Sequence, residues 1–571
     1  MNKFFYSALT ASMFVLTGCT DDDDNSPVQP ADEAVTSLSS QQLETSLTNP
    51  WFQQGQQDIE AAKAAWAEVT GTVAPVTQSG SLQAAIADAR GKAKNVILFV
   101  GDGMGVSTVT AARILDGQNQ GKPGEEHQLS FERFPFAGLA KTYNVDAQVP
   151  DSAGTMTAMV SGVKTDVGVL GVDEDVSRGD CGSATGNELM TLTELAELAG
   201  KATGVVSTAR ITHATPAATY AKSADRNWED ISDMPPEAVT DGCQDIADQL
   251  VNFEANLEAR TGADIDGLDV VMGGGRRHFL PNDARFNSPD ARSSVEGDRT
   301  DGRNLVTEWQ AQYPQGVYVY DNAGFDSVNA ATTSRLFGLF NESHMQYEAD
   351  RGNDVAGEPS LSEMTAKAID ILDNDPDGFF LTVEAGRVDH AHHAGSANGA
   401  LTDTIELAEA VKVAADQTNP EDTLIIVTAD HSHVFTMAGY PKRGNPILGK
   451  VVNVGETQPA LAADGMPYTT LGYANGLGMR DYGSETDADR TYGDPINAGR
   501  KDLTNVDTTT PGFHQESLVP LGSETHAGED VGIYARGPGA HLVTGTNEQN
   551  MIYHIMDYAS DISGAANLAV R

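Results

Sequence analysis

Nearly uninterrupted apolar runs recur along this chain, and each stops abruptly at glycine or at a polar group. The runs are "NVILFV" before "GDGMG" at 95–105, "ATGVVST" at 202–208, "LDVVMGG" at 268–274, "GFFLTVEAG" at 378–386 and "DTLIIVTAD" at 422–430. Runs this continuous predict strands buried on both faces, the pattern of a parallel sheet. Between them the period lengthens towards 3.6. "QQDIEAAKAAWAEV" at 56–69, "GVSTVTAARIL" at 105–115, "NELMTLTELAELAG" and "LSEMTAKAIDILDND" predict helices, with Ser107 or Thr108 placed to cap the second of them. Strands alternating with helices predict an α/β fold: a large, mostly parallel central sheet with helices on both faces. Residues 282–303 and 440–520 lose both periods and read as insertions, the kind of segment that often forms lids or binding loops.

The start of the chain has a different character. Lys3 precedes "FFYSALTASMFVL", an apolar run too short for a membrane span, and then Leu16-Thr17-Gly18-Cys19. This reads as a lipoprotein signal peptide over 1–18, with lipid on Cys19 and anchoring in the cell envelope, in the periplasm or at the outer membrane. A soluble secretory signal is the alternative. The acidic, Ser- and Pro-containing stretch 19–48 reads as a flexible tether, which leaves 49–571 as the folded body. In an exported protein Cys181 and Cys243 favour a disulfide, stabilising by about 4 kcal/mol in the loop-entropy account. Free thiols or zinc ligation are the other options, disfavoured because neither cysteine has a CxxC neighbour.

Acids outnumber bases 82 to 36, for a formal charge of −46. Such a surface repels a phosphate backbone, so nucleic acid is excluded as a ligand. An anionic small substrate would need a local positive centre, which bound metals could supply.

The predicted strand ends carry the chemistry, because ligands of open α/β sheets gather beyond them. The first delivers Asp102. "ATGVVSTARITHATPAA" delivers Arg210, His213 and Thr215. "GFFLTVEAGRVDHAHH" delivers Glu384, Asp389, His390, His392 and His393, and "DTLIIVTADHSH" delivers Asp430, His431 and His433. One acid after a strand is ordinarily a turn. Four strand ends of this kind, with five of the 13 histidines between His390 and His433, point to metal ligation by zinc with magnesium nearby. Asp389 and His393 are four apart and share a helix face. Asp430 and His431 are adjacent and need irregular backbone. His526 in "ETHAGED" is a further ligand candidate, while His392 and His433 read better as outer or packing groups. Ser152 in "VPDSAGTMTAMVSGVK" stands at a predicted helix start. That is ordinarily a cap, but a metal would make the serine a nucleophile. Neither a GxSxG elbow nor a Walker lysine accompanies it.

Taken together, "GDGMGVSTVTAARIL", "KTYNVDAQVPDS", "HATPAATYAKSADRNW", "VDHAHH", "TADHSHVF" and "ETHAGEDV" resemble the alkaline phosphatases, and their animal-type branch most closely. The resemblance runs from about Asn49 to about Tyr558. It implies a phosphomonoesterase working through a phosphoserine on Ser152, with two Zn2+ and one Mg2+ per subunit. Asp389, His393 and His526 match the ligands of the first zinc, and Asp102, Asp430 and His431 those of the second. Magnesium would share Asp102 and take Thr215 and Glu384, and Arg226 would grip the phosphate. His213 and His390 match outer positions where the enteric bacterial type has aspartate and lysine. The resemblance also implies a calcium site at Asp241, the Phe340 carbonyl, Asn341 and Glu358, a Cys181–Cys243 disulfide, a crown-like subdomain at 440–520, and a homodimer. Rival readings are a phosphodiesterase or sulfatase on the same metal scaffold, or a lipoprotein that only binds phosphate or metal. The nucleophile stretch lacks a sulfatase C/S-x-P-x-R motif, and no ligand of the set is missing.

Overall fold

Strand β1 (Asn95–Gly101) is the "NVILFVG" run, and every residue of it is buried. It lies in the middle of the main sheet of a computed structural model that describes residues 45–72 and 90–569. The expected leader, Cys19 and most of the expected tether lie outside the described residues. All the described residues belong to one compact unit. Among the described residues, Thr45 Oγ1 donates to the Gly186 carbonyl at 3.3 Å, so part of the stretch read as tether packs on the body.

Among the described residues the main sheet has ten strands: β1, β2 (Phe136–Lys141), β3 (Ala202–Arg210), β4 (Val270–Gly274), β5 (Val317–Val319), β6 (Leu336–Leu339), β7 (Phe379–Ala385), β8 (Thr423–Ala429), β16 (Val531–Arg536) and β17 (Thr546–Glu548). Their spatial order is β17-β2-β16-β8-β1-β7-β3-β4-β6-β5. All neighbouring pairs are parallel except the two that β16 makes, with β8 and with β2. The four apolar runs after β1 became β3, β4, β7 and β8. The outer strands were not foreseen, because segments such as "FAGLAK" and "VGIYAR" carry too short and mixed a pattern to announce themselves.

The helices Leu192–Leu198 and Leu361–Leu372 each open on a capping box, Thr191 with Glu194 and Ser360 with Glu363. Both pack on β3 and β7. The second belongs to a set with the helices Ala397–Gln417 and Val106–Asn119, and the first packs with Ile562–Ala569. The sheet is thus covered on both faces, as expected. Helix Val106–Asn119 has Gly105 at its cap with no side-chain bond, so neither Ser107 nor Thr108 caps it. Thr108 instead pairs with His392 Nε2 at 3.0 Å.

The two irregular regions are tied down rather than loose. In 282–303, Arg299 is buried and grips both oxygens of Asp245 at 2.9 Å, and buried Glu296 accepts from Arg276 at 2.5 Å. In 440–520, β10 (Phe435–Met437), β11 (Leu471–Gly476) and β14 (Ser517–Pro520) form one small sheet, and β12 (Arg480–Asp481) with β13 (Phe513–His514) another. Two shorter strands, β9 (Ser432–His433) and β15 (His526–Ala527), pair antiparallel beside them. Cys181 and Cys243 form a disulfide across 62 residues, with Cα atoms 6.0 Å apart. Among the described residues no helix is long and apolar enough to cross a membrane.

Candidate active site

Register decides where the chemistry meets. Gly101 of β1 pairs with Ala385 of β7 and with Ala429 of β8. Asp102 and Asp430 each follow directly, so they emerge level at adjacent strand tips. Glu384 lies one step inside β7, where Ser207 of β3 pairs with it and donates its hydroxyl to Glu384 Oε2. Gly103 turns the chain at φ +70°, and a Cβ there would collide with the His433 ring. Its N–H donates to Asp430 Oδ1 at 3.0 Å. The glycines around Asp102 therefore let the backbone fold tightly enough for two carboxylates to converge.

Ser152 is the first residue of the buried helix Ser152–Ser161. Asp151, not Ser152, is the cap: its Oδ1 accepts the Gly154 N–H at 3.2 Å. That leaves the serine hydroxyl free to face the strand tips. It lies 3.4 Å from Asp102 Oδ1 and 3.2 Å from His431 Nε2. Asp151 does a second task. Its Oδ2 holds Arg226 Nη1 at 2.9 Å, while Arg226 Nη2 reaches His213 Nε2 at 3.1 Å. The guanidinium is thereby fixed beside the serine.

A second group forms on the helix Arg387–His393. Asp389 Oδ1 lies 3.4 Å from His393 Nε2 and 3.3 Å from His526 Nε2. His393 donates Nδ1–H to the Glu524 carbonyl at 2.6 Å and His526 donates Nδ1–H to the Pro150 carbonyl at 2.8 Å. These bonds fix both tautomers, so the two Nε2 lone pairs are bare, yet they lie only 3.1 Å apart. Lone pairs converge in this way where a cation belongs. His433 sits opposite His526 in the β9–β15 ladder and completes the group. Both of its nitrogens are engaged, Nε2 on Asp389 at 2.7 Å and Nδ1 on Glu524 at 2.5 Å. Burial opposes its charging, but Glu524 and Asp389 outweigh that and hold its pKa at about 10. It clasps the group from outside rather than ligating.

The electrostatics require positive charge. Burial, then the repulsion of Asp430, Asp389 and Glu384, pushes the Asp102 carboxyl well above its usual range. Burial also raises Asp430, and it lifts Glu384 to about 7. Asp389 is the exception: burial would raise it too, but His393, His433 and His526 around it hold it well below the ordinary value. Asp102 Oδ2, Glu384 Oε1, Thr215 Oγ1 and His213 Nδ1 are buried without hydrogen-bond partners. Orphaned buried oxygens of this kind suit a hard divalent cation. Three sets at this site have metal-ligand spacing: Asp389, His393, His433 and His526; Asp102, Asp389 and His431; and Asp102, His213 and Glu384. These groups hold most of the expected ligand residues, with Asp389 in place of Asp430 beside Asp102 and His431, and His213 in place of Thr215 beside Asp102 and Glu384.

The other strand-end residues lie around these groups. His390 packs with its ring tilted against His344 at 4.0 Å and His213 at 5.4 Å, outside the ligand groups. Arg210 is turned away into an ion pair with Glu229 at 2.6 Å. His392 bonds the Tyr473 hydroxyl at 2.9 Å and packs on His433. Of the four expected calcium ligands, Asn341 and Glu358 lie together with Phe340 next in the chain, whereas Asp241 lies elsewhere. Asp241 ends the exposed helix Pro236–Asp241, where the neighbouring Cys243 disulfide pins it in a surface cavity with Cys181 and Arg260. Asn341 and Glu358 are buried 3.5 Å from each other, in a different place. Sequence reasoning had no role for Asp151, Ser207 or Thr155, whose hydroxyl lies 3.4 Å from Asp430. For Glu524 the sequence offered only its place two residues before His526.

An alkaline phosphatase family profile matches residues 93–562. The chain is 44% identical over 479 residues to the human tissue-nonspecific alkaline phosphatase isozyme, covering 83% of this chain and 85% of that protein. It is 42% identical to the alkaline phosphatase of the cod Gadus morhua over 475 residues, 83% of this chain and 93% of the other. The alkaline phosphatase of Thermus thermophilus superposes with a TM-score of 0.57 at 24% identity, over 85% of this chain and 95% of that one. That of the Antarctic bacterium TAB5 superposes with 0.52 at 21% identity, over 82% and 99%. The chain belongs to the alkaline phosphatase family, a family of phosphomonoesterases.

Four buried carboxylates with few cations beside them imply that metal binding and stability are linked. Chelation should lower the unfolding temperature and divalent metal should restore it, by about 4 kcal/mol at a thousandfold excess over Kd for one site. Calorimetry with and without chelator checks this, and an unchanged transition would mean that the site tolerates its own charge.

Proposed function

We propose that this alkaline phosphatase moves the phosphoryl group of a monoester first to Ser152 and then to water, with two zinc ions and one magnesium ion per chain. What carries the reading is Ser152 Oγ, 3.4 Å from Asp102 and 3.2 Å from His431 and facing no other base. Asp389, His393 and His526 would hold one zinc, and Asp102, Asp430 and His431 the other. Asp102, Thr215 and Glu384 would hold magnesium. When bound, such ions lower the pKa of a hydroxyl and neutralise charge on the attacking and leaving oxygens.

The chain's own residues do the rest. Ser152 Oγ forms a bond to phosphorus while the ester P–O bond breaks, and the alcohol leaves with a proton. Water then attacks the phosphoserine from the opposite side. The P–Oγ bond breaks, Ser152 regains its proton, and inorganic phosphate departs. Two inversions leave net retention at phosphorus. Arg226 presents a planar pair of donors to two non-bridging oxygens, a geometry lysine lacks. Asp151 and His213 hold that plane in place. Such positioning and charge stabilisation suffice for phosphoryl transfer.

Beyond the site, the leader sequence supports export with lipid on Cys19, anchoring the enzyme in the cell envelope. Family likeness supports a homodimer.

Ser152→Ala should lower turnover of p-nitrophenyl phosphate by at least about a thousandfold while elemental analysis shows the metal content retained; unchanged turnover would remove the serine from the mechanism. Globomycin should make the unprocessed precursor accumulate, and normal processing in its presence would favour a soluble secreted form. Sedimentation should give a mass twice that of one chain, and a monomeric mass would remove the dimer.

A further inference from the structure

Away from the catalytic centre, the loop between Arg226 and the helix Pro236–Asp241 brings two aspartates to a histidine. His278 lies in the turn Arg276–Phe279 that follows β4. Its Nδ1 is 2.6 Å from Asp230 Oδ2 and 4.0 Å from Asp233 Oδ2. One ligand atom from each of the three fits within the spread a single ion spans. Asp230 and His278 are buried, whereas the Asp233 side chain is 40% exposed and leaves the cluster open to solvent.

The far side of the imidazole matters as much. His278 Nε2 makes no hydrogen bond, although Glu229 Oε2 stands 3.3 Å away. Glu229 is itself anchored, by Arg210 Nε at 2.7 Å and by the Thr212 hydroxyl at 2.7 Å. A ligating imidazole characteristically has a fixed carboxylate behind its second nitrogen, which orients the ring and sets its tautomer. Here that carboxylate is in place, and a small turn of the ring would engage it.

We infer that Asp230, Asp233 and His278 form a separate site for a divalent cation of the zinc class, open at one position to water. One imidazole and two carboxylates suit zinc or manganese better than calcium, which prefers six or more oxygens. The site lies at the periphery of the fold and shares no ligand with the group around Ser152.

The test counts zinc on the full-length enzyme. Parent, Asp233→Asn and His278→Gln are saturated with Mg2+, equilibrated at stepped free Zn2+, separated from loose metal by gel filtration and analysed for zinc per chain. Each variant should hold one zinc fewer than the parent, with turnover of p-nitrophenyl phosphate unchanged. Equal zinc counts in parent and variants would overturn the site and leave His278 as an ion-pair partner of Asp230. The readout is a difference between variants, so an error in the metal count of the catalytic centre would not mimic it. Asp233→Asn replaces a partly exposed side chain and should fold even where His278→Gln does not.

Discussion

Four carboxylates, Asp102, Asp389, Asp430 and Glu384, are buried within one side-chain cluster, and the rest of the site follows from the cost of that arrangement. Unpaired, a buried carboxylate neutralises itself by taking up a proton. The raised pKa values of Asp102, Asp430 and Glu384 express that tendency. The histidines relieve it at Asp389 but not at the other three. His431 and His393 are pushed towards the neutral form by burial, so they offer lone pairs rather than charge. A cluster of anions and lone pairs is stable only around cations. Ser152 stands where those cations would lie, which makes its hydroxyl, and none of the other buried hydroxyls, the candidate nucleophile.

Such a cluster also needs rigid walls, and much of the chain supplies them. The level tips of β1, β7 and β8 set the positions of Asp102, Glu384 and Asp430. The β9–β15 ladder brings His526 to the group from 95 residues beyond His431, holding it against His433. The 440–520 region, which looked like decoration, buttresses the ligand helix. Asp489 pairs with Arg387 at 2.8 Å and takes the Tyr347 hydroxyl at 2.6 Å, while Arg387 lies 3.6 Å over the Tyr347 ring. Tyr473 of the same region fixes His392, which packs on His433. An insertion that braces a metal-binding helix can vary on its outer face, but its inner contacts are constrained by the ligands.

The sheet's centre, and the acids and histidines that gather at its strand tips, were legible because both rest on local pattern. Continuous apolar runs marked β1, β3, β4, β7 and β8, and the polar residue just after each run marked a strand tip. The helix spacing of Asp389 and His393 was equally local. What escaped was contact made across long separations. The pairing of β16 with β2 and β8, the hydroxyl of Ser207 on Glu384 and the turn of Arg210 onto Glu229 have no signature in neighbouring residues. The capping role fell one residue from where it was expected because Asp and Ser are both good caps, and only the fold shows which is free to be one. Of the expected calcium set, Asn341 and Glu358 meet, while Asp241 lines a cavity beside the Cys181–Cys243 disulfide.

A net charge of −46 around a site for phosphate esters looks self-defeating. The two effects act on different lengths, however. Fields of exposed carboxylates fade within about 8 Å at physiological ionic strength, so they slow the approach of an anion without altering contact. At contact, local charge decides. Arg226 alone is a poor counterweight, since Asp151 already neutralises part of it at 2.9 Å. The pairing gives up attraction for orientation, and it leaves cations at the strand tips as the source of the pull on a dianion. The acid-rich surface and the cation-demanding core are thus compatible in one molecule, provided the positive charge is imported and held where solvent does not screen it.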